Sequence, residues 1–211
     1  MISAIEWSRL AALSPLLAAL PSPSRKAARL LQVEVDGLLF ATGDKPKSMY
    51  YVVSGEVRLL RRTQTGGEIV LQRTRRGFVA EASIDQLAYH CDAVAPVLST
   101  ALVIPRNAFS SALKDEKFRG LWISLLSREL RRVRGQNERL HLHRAQDRIV
   151  HFVLAETADG CLQLDQSKKQ WAAELGLTHE ALYRALSALR RQQRIEVDGN
   201  VLRVIDRPGA A

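Results

Sequence analysis

Between Ser167 and Arg190 apolar side chains recur at Trp171, Leu175, Leu177, Leu182 and Ala185, the interval that buries one face of each of two short helices. Ala172 is small where two such helices would cross closely, and Gly176 stands at the turn between them, where positive φ is needed. Ser167 with Gln170 three residues on has the form of a capping box. Thr178 can cap the second helix, with Glu180 near its positive end. The pattern predicts a helix-turn-helix whose second helix is a candidate reader of a DNA major groove. Glycine-turned helix pairs also occur in structural bundles, and what favours a reader here is that apolar positions, turn and caps all fall in register.

The pattern changes along the rest of the chain. Residues 1–25 predict an amphipathic helix broken by Pro21 and Pro23, with a second short helix over Ser24 to Leu31. From Gln32 to about Ala101 short β-prone runs are separated by glycines at Gly55, at Gly66 with Gly67, and at Gly77, which predicts an antiparallel barrel or jelly roll. Residues 118–144 return to helix. There Ile123, Leu126, Leu130, Val133 and Leu140 repeat with heptad spacing and Asn137 lies on the same seam, as expected of a helix pairing with its copy in a dimer. Gly135 marks a close approach or a bend, and the arginines at 128, 131, 132, 134 and 139 read as a solvated rim. His141 and His143, two apart, would face different ways on a helix, so no metal is assigned to them.

Beyond Ala145, Asp147 to Glu156 is an amphipathic helix in which His151 reads as structural, and Cys161 to Asp165 is a short strand. After the helix pair, Arg194 to Val197 and Val201 to Ile205 flank Asp198-Gly199-Asn200 and predict a hairpin. A helix-turn-helix closed in this way is a winged helix, and the tail Arg207 to Ala211 is expected to be disordered. The fold class is therefore α+β: an antiparallel β-roll over residues 1–113, a long dimerisation helix and hinge over 114–144, and a winged helix-turn-helix over 145–211.

Composition refines this reading. The 211 residues, 46% of them hydrophobic, suffice for one large or two modest domains. No segment approaches the run needed to span a bilayer, and Glu6 and Arg9 make the start of the chain a surface helix rather than a signal peptide. Cys91 and Cys161 alone cannot form a four-cysteine iron-sulfur or zinc site, and they fit a reducing cytoplasm. The net charge is +9, yet residues 145–211 hold nine basic and nine acidic residues, so the excess does not locate a groove reader. No nucleotide-binding glycine loop, nucleophile elbow or metal-ligand cluster points to an enzyme.

Gly43-Asp44 followed by Tyr50-Tyr51-Val52-Val53-Ser54-Gly55-Glu56-Val57, then a long helix and a helix-turn-helix, resembles the Crp/Fnr transcriptional regulators from about Gly37 to Ile205. The resemblance implies a homodimer on palindromic double-stranded DNA, with RNA polymerase as a further partner. Cyclic-nucleotide binders of that family hold the phosphate with an Arg-Ser pair after a Gly-Glu helix start. Here Glu81 is kept, Ala80 replaces the glycine, and Tyr89 and His90 stand at the Arg-Ser positions. Losing the bidentate arginine costs about 1.5–3 kcal/mol or more, so cyclic AMP is expected to bind weakly or not at all. His90 and Cys91 leave haem ligation open beside a pocket filled by its own side chains, and a redox role for Cys91 is a further reading.

The family reads TGA-containing half-sites through a motif similar to Arg-Glu-x-x-x-Arg. Glu180 and Arg184 match it and His179 replaces the first arginine, leaving the outer base open; Tyr183 is another variable reader. Ser167, Lys168, Lys169 and Thr178 suit phosphate contacts. The rival reading is a ligand- or haem-sensing or protein-interaction module whose helix pair reads no DNA sequence, with Glu180 and Arg184 an ordinary surface ion pair.

Overall fold

The computed structural model describes residues 2–62, 68–157, 159–164 and 166–205, the side chain of Leu140 excepted. The expected Gly66-Gly67 turn, Asp165, the tail from Arg207 and the side chain of Leu140 lie outside the described residues. The chain divides into two compact units, Met1–Ser124 and Leu125–Ala211.

The first unit opens with three short helices, α1 (Ala4–Leu13), α2 (Pro15–Ala19) and α3 (Ser22–Ala27). Ser3 and Glu6 form a reciprocal capping box at α1, and Ser14 caps α2, whose first residue is the favourable Pro15. The helix expected over Ser24 to Leu31 is corrected. Helix ends at Ala27, and Arg29–Val33 is a strand, β1. Lys26-Ala27-Ala28-Arg29-Leu30-Leu31 is a good helix former by composition, but Leu31 aligns with Ala101 across a sheet, so tertiary pairing overrides local preference.

The remaining strands are β2 (Gly37–Phe40), β3 (Ser48–Ser54), β4 (Val57–Arg62), β5 (Glu68–Thr74), β6 (Gly77–Val79), β7 (Asp92–Ala95) and β8 (Ser99–Pro105). They form two four-stranded antiparallel sheets, β1-β8-β3-β6 and β2-β7-β4-β5, the expected β-roll. Phe40, Tyr50, Val52, Val57, Val79, Tyr89, Ala93 and Ala101 share one buried cluster. Gly55, at φ +81, makes the β3–β4 turn; a Cβ there would meet the Leu98 carbonyl at 2.7 Å. Glu56 beside it is buried and accepts from Arg58 Nε at 2.7 Å and Arg75 Nε at 3.1 Å. Helix α4 (Arg106–Ala112) and the first turns of α5 (Glu116–Leu140) add edge-to-face contacts of Phe109 with Phe118 and Trp122.

The second unit holds the rest of α5, then α6 (Ala145–Glu156), β9 (Cys161–Gln163), α7 (Lys168–Glu174), α8 (His179–Arg191), β10 (Ile195–Asp198) and β11 (Val201–Val204). Its three-stranded sheet runs β10-β11-β9. The first strand ends at Gln163, short of the expected Asp165, and Leu164 N–H bonds instead to the Asn200 carbonyl at 2.8 Å. Asp198 aligns with Val201, so within the expected turn Asp198-Gly199-Asn200 the two residues outside the strands are Gly199 and Asn200. Ile149, Phe152, Val153, Trp171, Leu182, Leu189 and Leu202 form its core.

Candidate nucleic-acid interface

Helix α7 begins at the expected capping box: Gln170 N–H donates to Ser167 Oγ at 3.3 Å, and Ser167 N–H to Gln170 Oε1 at 3.2 Å. Its end is a Schellman motif, with Leu177 N–H on the Ala172 carbonyl at 2.8 Å and Gly176 N–H on the Ala173 carbonyl at 3.1 Å. Gly176 sits at φ +65. Thr178 Oγ1 then accepts from Ala181 N–H at 3.1 Å and starts α8. The turn has a second fastener that the periodicity did not reveal. Arg148, on α6, donates through Nη1 to the Leu175 and Gly176 carbonyls, both at 3.2 Å, and through Nε to the Leu142 carbonyl at 2.7 Å.

Leu182, Ala185, Leu186 and Leu189 bury one side of α8. Leu186 and Leu189 extend the buried face beyond the two positions expected from sequence. The opposite side exposes His179, Glu180, Tyr183 and Arg184 together. No ion pair joins Glu180 to Arg184 among the described residues, so both keep their hydrogen-bonding groups available. His179 meets Tyr183 edge-to-face at 4.7 Å between ring centres, and Lys168 Nζ lies 5.7 Å from the Tyr183 ring centre. Ser167, Lys169 and Thr178 are exposed around the same two helix starts.

On α5 the heptad positions form an outward apolar stripe: Ile123 is 56% exposed, Leu126 38%, Leu130 51% and Val133 53%. Asn137 is exposed in the same register. The arginine rim requires one correction. Arg139 is only 3% exposed, its guanidinium carbon 4.8 Å from the Phe152 ring centre, because α6 folds back against the last turn of α5. None of its three guanidinium nitrogens meets a hydrogen-bond acceptor among the described residues. Burial lowers its pKa, against the pull of Glu156 and Glu174. Nearby, His151 Nε2 is 3.0 Å from Glu138 Oε2, a structural use of this histidine.

In the β-roll, Ala80 adopts φ +79, the left-handed conformation that glycine takes more readily. Glu81 follows and opens a single 3-10 turn through Ser83. Tyr89 is buried and stacks on Phe40 with ring centres 3.8 Å apart, and its hydroxyl donates to the Ser48 carbonyl at 3.3 Å. Burial pushes its phenol well above the usual range. His90 is exposed, with Nδ1 3.1 Å from Ser83 Oγ, whereas Cys91 is buried. Burial pushes the Cys91 thiol up, only partly offset by Arg61, so the environment does not favour a reactive thiolate. The adjacent His90 and Cys91 are thus divided between solvent and core. No group of three or more potential ligands suited to a metal occurs among the described residues.

Residues 31–116 match the cyclic nucleotide-binding domain family, and residues 147–209 match the Crp-like helix-turn-helix domain family. No curated protein matches the chain. Among solved structures it resembles a protein of Silicibacter pomeroyi DSS-3 described as a cAMP-binding regulatory protein, at 26% identity and a TM-score of 0.55, covering 95% of this chain and 94% of that one. FixK2 of Bradyrhizobium japonicum matches at 23% identity and a TM-score of 0.59, over 85% of this chain and 93% of that one. DNR of Pseudomonas aeruginosa matches at 24% identity and 0.55, over 98% and 97%. The last two are likenesses of fold.

Proposed function

The chain belongs to the Crp/Fnr family of transcription regulators, and we propose that it acts as a homodimer that reads a palindromic DNA site through α8 and does not respond to cyclic AMP. The observation that carries the reading is the outward face of α8, where Glu180 and Arg184 stand unpaired on a helix whose start and preceding turn are both fastened. Arg184 would donate two bonds to guanine O6 and N7, and Glu180 would accept from cytosine N4, as in the core of a TGA-like half-site. Ser167, Lys168, Lys169 and Thr178 would hold phosphates and set the register.

The exposed stripe of Ile123, Leu126, Leu130 and Val133, continued by the exposed Asn137, is the surface on which the second copy would pair; Leu140 joins it by heptad spacing in the sequence alone. On this reading residues 114–144 dimerise and link a β-roll domain, 1–113, to the reader, 145–211. Two-fold pairing sets the two readers about 34–36 Å apart, one helical turn of DNA. Insensitivity to cyclic AMP is supported by one ring stack inside the β-roll. Tyr89, at the position that the resemblance assigns to the phosphate-holding arginine, is stacked on Phe40 and offers no guanidinium to a phosphate.

Selection of bound sequences from random DNA tests the reading. The wild-type protein should enrich a palindrome with a G·C pair in each half-site core, and Arg184→Ala should keep only salt-sensitive, sequence-independent binding. Unchanged specificity in Arg184→Ala would remove the assigned role. Micromolar binding of cyclic AMP by titration calorimetry would overturn the second part.

A further inference from the structure

Tyr183 is a large aromatic side chain 45% exposed at the middle of the proposed reading face. Its ring is not free. His179, one turn earlier, packs edge-to-face on it at 4.7 Å, and Lys168, from the start of α7, places its ammonium 5.7 Å from the ring centre. Both contacts are of the kind that favours one ring orientation. Side chains held before binding lose less conformational freedom on contact, so such a ring is a more discriminating probe than a mobile one.

The major-groove edge of DNA offers one methyl group, at C5 of thymine; cytosine carries only a hydrogen at that carbon. We propose that Tyr183, positioned by His179 and Lys168, selects a pyrimidine bearing a C5 methyl group at a base pair neighbouring the one read by Arg184. This inference rests on the reading of α8 as the DNA reader. It assigns the aromatic surface of Tyr183 as the contacting element, with its hydroxyl dispensable. Lys168 then has a positioning role in addition to any phosphate contact.

The test uses the full-length protein and the operator it selects, in competition binding against duplexes that differ only by C5 methyl groups. Thymine is replaced by uracil at each A·T pair of the half-site in turn, and unmethylated cytosine by 5-methylcytosine at the position so found. One position should show binding weakened about four-fold by uracil, the value expected for one buried methyl group. A duplex with cytosine there should regain affinity when the cytosine is 5-methylated. Tyr183→Phe should keep the thymine-to-uracil ratio and Tyr183→Ala should bring it to one. The exposed position makes both variants compatible with the fold, and circular dichroism confirms it. A wild-type protein indifferent to uracil at every position, or a ratio that survives in Tyr183→Ala, overturns the inference. If Arg184-dependent sequence preference persists in that case, the DNA-reading function stands without it. Absence of any preferred sequence in the wild type overturns both.

Discussion

Replacing Arg139 by methionine should stabilise the unit that contains it. Arg139 is 3% exposed, its guanidinium carries a charge, and Nε, Nη1 and Nη2 are buried without hydrogen-bond acceptors among the described residues. Leaving a buried donor unmet costs about 1–3 kcal/mol, and more when it is charged. The stack on Phe152, 4.8 Å from the guanidinium carbon, returns about 0.5–2 kcal/mol. Methionine keeps a flexible apolar stem of similar reach, and apolar replacement of buried charges is often neutral or stabilising by about 1–4 kcal/mol. The balance favours Arg139→Met by about 1–2 kcal/mol. Arg139→Ala also removes the stem, leaving a cavity that cancels the gain. Hydrogen exchange of the α6 amides, residues 145–156, reads the effect locally. Slowing of about five- to thirty-fold in Arg139→Met is expected where exchange follows opening of this unit, with no comparable slowing in Arg139→Ala. Faster exchange in both variants would refute the reasoning and mean that the arginine is a net stabilising group.

Three further outcomes follow from other positions. Gly176→Ala places a side chain at φ +65, with its Cβ 3.2 Å from Arg148 Nη1, and should cost about 1–2 kcal/mol in urea unfolding monitored by the buried Trp171; an unchanged midpoint would discount the turn's strain. Glu56 is pushed up by burial, but Arg58 and Arg75 outweigh that and hold its carboxyl below the usual range. Its contribution to stability is therefore full above the ordinary carboxylate pKa and lost as pH falls through the lowered one. Glu56→Gln should be less stable at neutral pH and show a smaller loss on acidification, measured by thermal melts between neutral and acid pH; identical pH profiles would argue against the pairing. Leu130→Ala, in the exposed stripe of α5, should weaken self-association about ten-fold or more by sedimentation, from the loss of two partly buried leucines. A monomeric wild type would dispose of the dimer.

What could be read along the chain was what neighbouring residues decide among themselves. Ser167, Gln170, Gly176 and Thr178 act within three or four residues, and their caps and turn appear where expected. The short β-prone runs and glycines of Met49 to Val79 similarly announced antiparallel strands. The errors came from partners distant in the chain. Leu30 and Leu31 look helical until β8 supplies Leu102 and Ala101 as strand partners. Arg139 looks like one more surface arginine until α6 brings Phe152 over it. Arg148 gives no periodic signal, since its function is to bond carbonyls at Leu142, Leu175 and Gly176. The departure of Ala80 from glycine was visible, but its left-handed backbone was not, because only the surrounding β-roll imposes it.

The three bonds made by Arg148 turn one side chain into a mechanical tie. It grips the backbone just beyond the long helix at Leu142 and, with the other end of the same rigid guanidinium, the elbow at Leu175 and Gly176. A push delivered at Leu142 cannot be absorbed by flexing between those points without breaking charged hydrogen bonds, each worth about 1.5–3 kcal/mol. A displacement at Leu142 is therefore expected to carry the elbow with it, so that the helix pair would be steered as a stiff tool by its handle rather than reshaped.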